Sequence, residues 1–93
     1  MKKKLSILGS TGSIGKNTLQ VVNHLSDYFE VQYLTAHQNA DLLIQQALKF
    51  KPKAVAIVDF GAAETVIKEL NKNIEVLTGR EGLLELASWD NVD

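Results

Sequence analysis

An α/β fold on a mostly parallel sheet is predicted by three features of the sequence. Apolar strand-length runs alternate with helical periods, the third run shows no apolar/polar alternation, and a glycine-rich turn joins the first run to a helix. Each strand and helix together take roughly twenty residues, enough for the right-handed crossover that a parallel neighbour requires.

The first run, Leu5-Ser6-Ile7-Leu8, is short, apolar and closed by glycines, as expected of a buried strand. It opens into Gly9-Ser10-Thr11-Gly12-Ser13-Ile14-Gly15. Behind the turn, Ile14, Thr18, Val21, Val22 and Leu25 fall on one stripe, predicting a helix of about three turns that Ser26-Asp27 ends. Phe29, Val31 and Tyr33 alternate with polar residues before Leu34, marking a second strand over 29–34. Asn39 is placed to cap the second helix, with Asp41 in its first turn and Leu43, Ala47 and Phe50 facing inward. Pro52, the sole proline, closes that unit.

Ala54-Val55-Ala56-Ile57-Val58 lacks alternation, as befits a parallel strand covered on both faces. Asp59 is placed to cap a third helix that presents Ala62, Ala63, Val66, Ile67 and Leu70, and Ile74-Glu75-Val76-Leu77 reads as a fourth strand. Thr78-Gly79-Arg80-Glu81 has the spacing of a capping box ahead of Leu83, Leu84, Leu86 and Ala87.

With 93 residues, 45% of them hydrophobic, the chain suits one small domain with a modest core. Eleven acids against ten bases leave a net charge of −1, too weak a field to favour nucleic acid or an anionic membrane as a partner. The absence of cysteine removes disulfides, thiolate metal sites and cysteine nucleophiles, and fits a cytoplasmic protein. Lys2, Lys3 and Lys4 resemble the charged start of a signal peptide, but the apolar run behind them is shorter than the roughly 7–15 residues such a segment needs. They read instead as a solvated lead-in to the first strand. Tyr33 and Trp89 fit packing roles rather than a stacking platform for bases, and His24 suits the negative end of its helix.

The glycine turn carries the chemistry. A helix N-terminus presents unpaired backbone N–H groups and the positive end of the helix dipole, and glycines let a diphosphate come close to them. Gly9 permits the tight turn, Gly12 leaves space for the pyrophosphate, Gly15 lets helix and strand pack closely, and Thr11 and Ser13 add hydroxyls. The spacing G-x-x-G-x-x-G is one residue longer than the usual G-x-G-x-x-G, and its position between a strand and a helix gives it weight. A nucleoside-triphosphate P-loop is excluded, because its first glycine would fall on Ser10 and Asn17 stands where the metal-binding Ser or Thr should follow Lys16. The chain thus reads as a Rossmann-like, incomplete dinucleotide-binding domain. With the third and fourth strands continuing outward from the second, the first strand keeps a bare edge, and the expectation is the front part of a longer protein that stops after Val92-Asp93.

An NAD-specific site places Asp or Glu about 20 residues after the glycines to take the ribose 2′-hydroxyl. Here the segment is Thr35-Ala36-His37-Gln38-Asn39, without an acid, which favours NADP(H) because a carboxylate would repel a 2′-phosphate. His37, Gln38 and Asn39 are the candidate donors to that phosphate and its ribose.

The run from Lys4 through Gly15, then Thr18-Leu19 and Val21-Val22, resembles the N-terminal segment of the 1-deoxy-D-xylulose 5-phosphate reductoisomerase family. The similarity continues through Ala36 and Asn39, Phe50-Lys51-Pro52 and Glu75-Val76-Leu77-Thr78-Gly79. The resemblance implies an enzyme that rearranges and reduces 1-deoxy-D-xylulose 5-phosphate to 2-C-methyl-D-erythritol 4-phosphate in the non-mevalonate isoprenoid pathway. NADPH and a divalent metal, Mg or Mn, would be its cofactors, a sugar phosphate its substrate and a homodimer its assembly. It also puts cofactor contacts on Thr11, Gly12, Ser13 and Ile14 and on the segment ending in Asn39. The metal ligands and catalytic residues would lie outside residues 1–93. The chain departs from the family in one place: a small residue and then Lys or Arg commonly precede that Asn, where this chain has His37 and Gln38. A non-catalytic NAD(P)-sensing module, or a piece of another dehydrogenase or epimerase, is the alternative. A channel or DNA-binding region would mark the sensor, and a Tyr-x-x-x-Lys pair the epimerase.

Overall fold

The computed structural model describes residues 2–70 and 73–89. Strand β1 (Lys3–Ile7), helix α1 (Ser13–His24), β2 (Phe29–Ala36), α2 (Ala40–Phe50), β3 (Ala54–Ile57), α3 (Phe60–Glu69), β4 (Glu75–Thr78) and α4 (Gly79–Ala87) follow one another in strict alternation. The four strands lie in the order β1-β2-β3-β4, and each neighbouring pair is parallel. Among the described residues β1 therefore keeps one edge unpaired, as expected from the sequence.

Two cores sit on opposite faces of the sheet. In β3, Val55 and Ile57 belong to the larger cluster, with Leu19 and Val22 of α1, Leu43 and Ala47 of α2, and Ala63 and Val66 of α3. Ala54 and Ala56, which alternation turns to the other face, pack instead with Tyr33 and with Leu86 of α4. Successive right-handed crossovers in one direction keep α1, α2 and α3 on one side, and α4 is the first helix to cover the other. Trp89 joins that second core, its ring meeting Tyr33 edge-on at 5.2 Å, so both aromatics have the packing roles assigned to them. His24 ends α1 as expected.

Several local expectations need correction. The buried face of α1 is Gly15, Leu19 and Val22, whereas Ile14 is 83% and Val21 56% exposed. The stripe is rotated by one residue, about 100°, because Gly15 must meet the backbone of the turn. Ile67 and Leu84 are likewise exposed, since α3 seats Ala63 and Val66, and α4 rests on Gly82 and Leu86. Thr78 precedes α4 but its hydroxyl makes no capping bond. Gly79, with φ +74°, takes the left-handed region at the position where a capping box needs helical dihedrals. Lys3 and Lys4 are part of β1, paired with Phe29 and Glu30, and only Lys2 remains as lead-in. Leu8 and Val58 fall just beyond their strands. Asp90, Asn91 and Asp93, whose polar side chains read in the sequence as a solvated linker, lie outside the described residues.

Strand β2 runs two residues further than its alternation predicts, to Ala36. The register passes from Leu5↔Val31 to Ser6↔Tyr33, so Gln32 is an extra residue that shifts the later side chains by one face. Gln32 is buried, and its Nε2 is the one buried side-chain nitrogen or oxygen without a partner among the described residues. No helix among the described residues is long and apolar enough to cross a membrane.

Candidate functional site

Parallel strands end on the same side of the sheet, so the turn after β1 and the segment after β2 are neighbours there. Their contact is built from hydrogen bonds. Gly9 N–H donates to the Thr35 hydroxyl at 2.8 Å, and Ser10 N–H to the Thr35 carbonyl at 2.8 Å. Gly9 takes a φ of +67°, a conformation that side chains with a Cβ resist, and Gly12 N–H closes the turn onto its carbonyl at 3.0 Å. A Cβ on Gly15 would collide with the Gly9 carbonyl and lie 2.6 Å from Ser10 Cα, so close packing of α1 on the turn demands glycine there.

The mouth of α1 is open. Gly12 is its cap residue, no side chain caps the helix, and the first helical bond runs from Lys16 N–H to the Gly12 carbonyl at 2.9 Å. The N–H groups of Ser13 and Ile14 precede that bond, at the positive end of the dipole. Gly12, Ser13 and Ile14 are exposed and Thr11 is half-buried, so the four candidate residues of the turn line one accessible shelf. Lys16 is exposed, as expected of a solvated helix residue.

His37, Gln38 and Asn39 are all exposed. Their backbone is pinned, since the His37 carbonyl accepts from Asp59 N–H at 2.8 Å and the Gln38 carbonyl from Ala40 N–H at 2.9 Å. Asn39 Oδ1 accepts from Leu42 N–H at 3.2 Å and so caps α2, which leaves the Nδ2 donors to face outward. The carboxylate of Asp59 caps α3 in the same way, at 2.8 Å from Ala62 N. A groove of about 490 Å³ between α1 and α2 includes Leu19, Val21, Leu42 and Phe50 in its walls and none of residues 9–15 or 36–39.

Three residues that sequence reasoning passed over hold the turn in place. Ser10, Thr35 and Gln46 are all buried, and Gln46 lies on α2, 36 residues from Ser10. The Ser10 hydroxyl donates to Gln46 Oε1 at 2.6 Å, while Gln46 Nε2 donates to the Ser10 carbonyl at 2.8 Å. The signal was Gln46 itself, a polar side chain three residues after Leu43 on the inward face of α2.

A profile of the family described as 1-deoxy-D-xylulose 5-phosphate reductoisomerase matches residues 5–93. Proteins of that name from Caldanaerobacter subterraneus and Thermoanaerobacter sp. are 49% and 47% identical over 88 residues, covering 95% of this chain. The chain spans about a quarter of their length, 23% in each case. The fold is similar, with a TM-score of 0.88 at 30% identity, to the Zymomonas mobilis reductoisomerase in complex with NADPH, over 94% of this chain and 23% of the other. A second reductoisomerase structure, in complex with NADPH, fosmidomycin and magnesium, gives a TM-score of 0.90 at 30% identity over 98% of this chain and 23% of the other. By sequence and by fold, this chain belongs to the 1-deoxy-D-xylulose 5-phosphate reductoisomerase family.

Proposed function

We propose that this chain forms the pyrophosphate- and adenosine-binding side of an NADPH site, as the dinucleotide-binding part of a cytoplasmic 1-deoxy-D-xylulose 5-phosphate reductoisomerase. Such an enzyme rearranges and reduces its sugar-phosphate substrate to 2-C-methyl-D-erythritol 4-phosphate. The observation that carries the reading is Gly12. Its backbone, φ −78° and ψ 173°, suits any residue, and a Cβ there would meet only the Gly9 carbonyl oxygen, at 3.4 Å. Neither dihedral nor packing calls for glycine, and what remains is the space a diphosphate takes at the helix mouth.

On this reading the amides of Ser13 and Ile14 and the hydroxyls of Thr11 and Ser13 hold the pyrophosphate, and the exposed Ile14 side chain lies against the cofactor. Asn39 Nδ2, Gln38 and His37 take the ribose and its 2′-phosphate. NADPH, when bound, supplies the hydride for the reduction. The chain's own residues orient the cofactor and neutralise its charge, and none of them is assigned a catalytic role. On the family resemblance, the divalent metal is assigned to residues elsewhere in the enzyme, which would act as a homodimer.

The test is an NADPH titration of the 93-residue chain, followed by the amide NMR shifts of residues 9–15 and 37–39. Weak binding that moves the amides of the turn, together with those of residues 37–39, is expected, with no turnover of substrate. Gly12→Val should weaken it at least tenfold while leaving the amide spectrum dispersed. Unaltered affinity in Gly12→Val would remove the reading.

A further inference from the structure

Ser10 is fully buried between an exposed Gly9 and a half-buried Thr11, and each of its polar groups has a partner. Its N–H goes to the Thr35 carbonyl, its hydroxyl to Gln46 Oε1 with the Thr35 carbonyl at 3.3 Å as a second acceptor, and its carbonyl accepts from Gln46 Nε2. A carbonyl oxygen can only accept, so the Gln46 amide has one orientation that satisfies both bonds. A buried amide with two satisfied bonds is held rigidly, and holds its partner equally.

The partners share one layout. Thr35 lies two residues before His37 on β2, and Gln46 lies on α2, the helix that Asn39 caps. The two elements that clamp the turn are therefore the two that carry the segment assigned to the ribose and its phosphate. One clamp sets the distance between the two halves of the nucleotide site.

We propose that Gln46 is a positioning residue for cofactor binding: without touching NADPH, its side-chain amide fixes the pyrophosphate turn relative to the 2′-phosphate segment through the hydroxyl and the carbonyl of Ser10. This rests on the reading of the turn as an NADPH site. A ligand that spans both halves needs the clamp, and a ligand confined to the adenosine half does not. Adenosine 2′-monophosphate is such a half-ligand, because it carries the 2′-phosphate but no pyrophosphate.

The test compares NADPH and adenosine 2′-monophosphate on the 93-residue chain and on Gln46→Met, which fills similar volume without the amide. At the NADPH concentration that half-saturates the unaltered chain, Gln46→Met should be less than about one-tenth saturated, a tenfold loss. Its affinity for adenosine 2′-monophosphate should stay within about twofold, the scatter expected of a site that keeps its contacts. Equal affinity for NADPH in the two proteins, or equal weakening of both ligands, would overturn the proposal. Should Gln46→Met lose its dispersed amide spectrum, Ser10→Ala decides, since it keeps the backbone carbonyl bond to Gln46. A selective loss for NADPH, smaller than tenfold, supports the clamp, and no selective loss ends it. If NADPH moves no amide of the unaltered chain, the reading of the site fails together with the proposal. If that chain binds NADPH and Gln46→Met binds it equally, only the role of Gln46 falls.

Discussion

Helices α1 and α4 both begin without a side-chain cap, and each has a glycine at its mouth. The two glycines answer different demands. Gly79 has a φ of +74°, and a Cβ there would lie 2.7 Å from the Phe60 ring, so the protein itself uses the space. Gly12 has an ordinary dihedral and an open flank. Helices α2 and α3, by contrast, are finished by their own Asn39 and Asp59. A helix mouth that is left uncapped and also kept clear of side chains is the one suited to an external anion, which α4 is not.

The comparison breaks most easily at Gly15. Gly15→Ala should destabilise the chain by about 3 kcal/mol or more, because backbone cannot yield as a side chain can. Urea unfolding measures this, and a loss below about 1 kcal/mol would mean that α1 is free to back away from the turn. Gly79→Ala should cost about 1–2 kcal/mol for the left-handed dihedral alone, whereas Gly12→Ala should change stability by less than about 1 kcal/mol. Equal costs at the two mouths would erase the distinction drawn between them.

Removing the cap of α3, which has no part in the nucleotide site, should be felt only as stability. Asp59→Ala is expected to lose about 1 kcal/mol in the same unfolding experiment, with NADPH affinity unchanged. The smallest effect sharpens the comparison at the far end of the site. Gln38→Lys, which places a cation where the family resemblance implies one, should tighten NADPH by a few fold, worth up to about 1 kcal/mol at an exposed site, and leave NADH unaffected. Equal tightening of both would assign the gain to general charge rather than to the 2′-phosphate.

Much of the fold was legible because its signals are local. The unbroken apolar run in β3, the caps at Asn39 and Asp59 and the glycine turn each sit within a few residues of the structure they specify. The candidate residues are local in the same sense, since Thr11, Gly12, Ser13 and Ile14 share one turn and His37, Gln38 and Asn39 one segment, and the bonds of Gly9 and Ser10 to Thr35 bring turn and segment to one end of the sheet. Thr78 shows the limit of such reading. Its spacing matched a capping box, but the left-handed Gly79 beside it changed the path of the chain.

By itself the amino-acid order determined the alternation of strands and helices, their parallel class and the place of the glycine turn, because periodicity and glycine spacing act over one or two turns of chain. Tertiary structure alone decided which face α1 buries, where Gln32 breaks the register of β2, and that Ser10 is clamped by Gln46 and Thr35. The last two of those outcomes join residues about 25 to 36 positions apart, and the contacts that fix them arise only when the sheet has assembled.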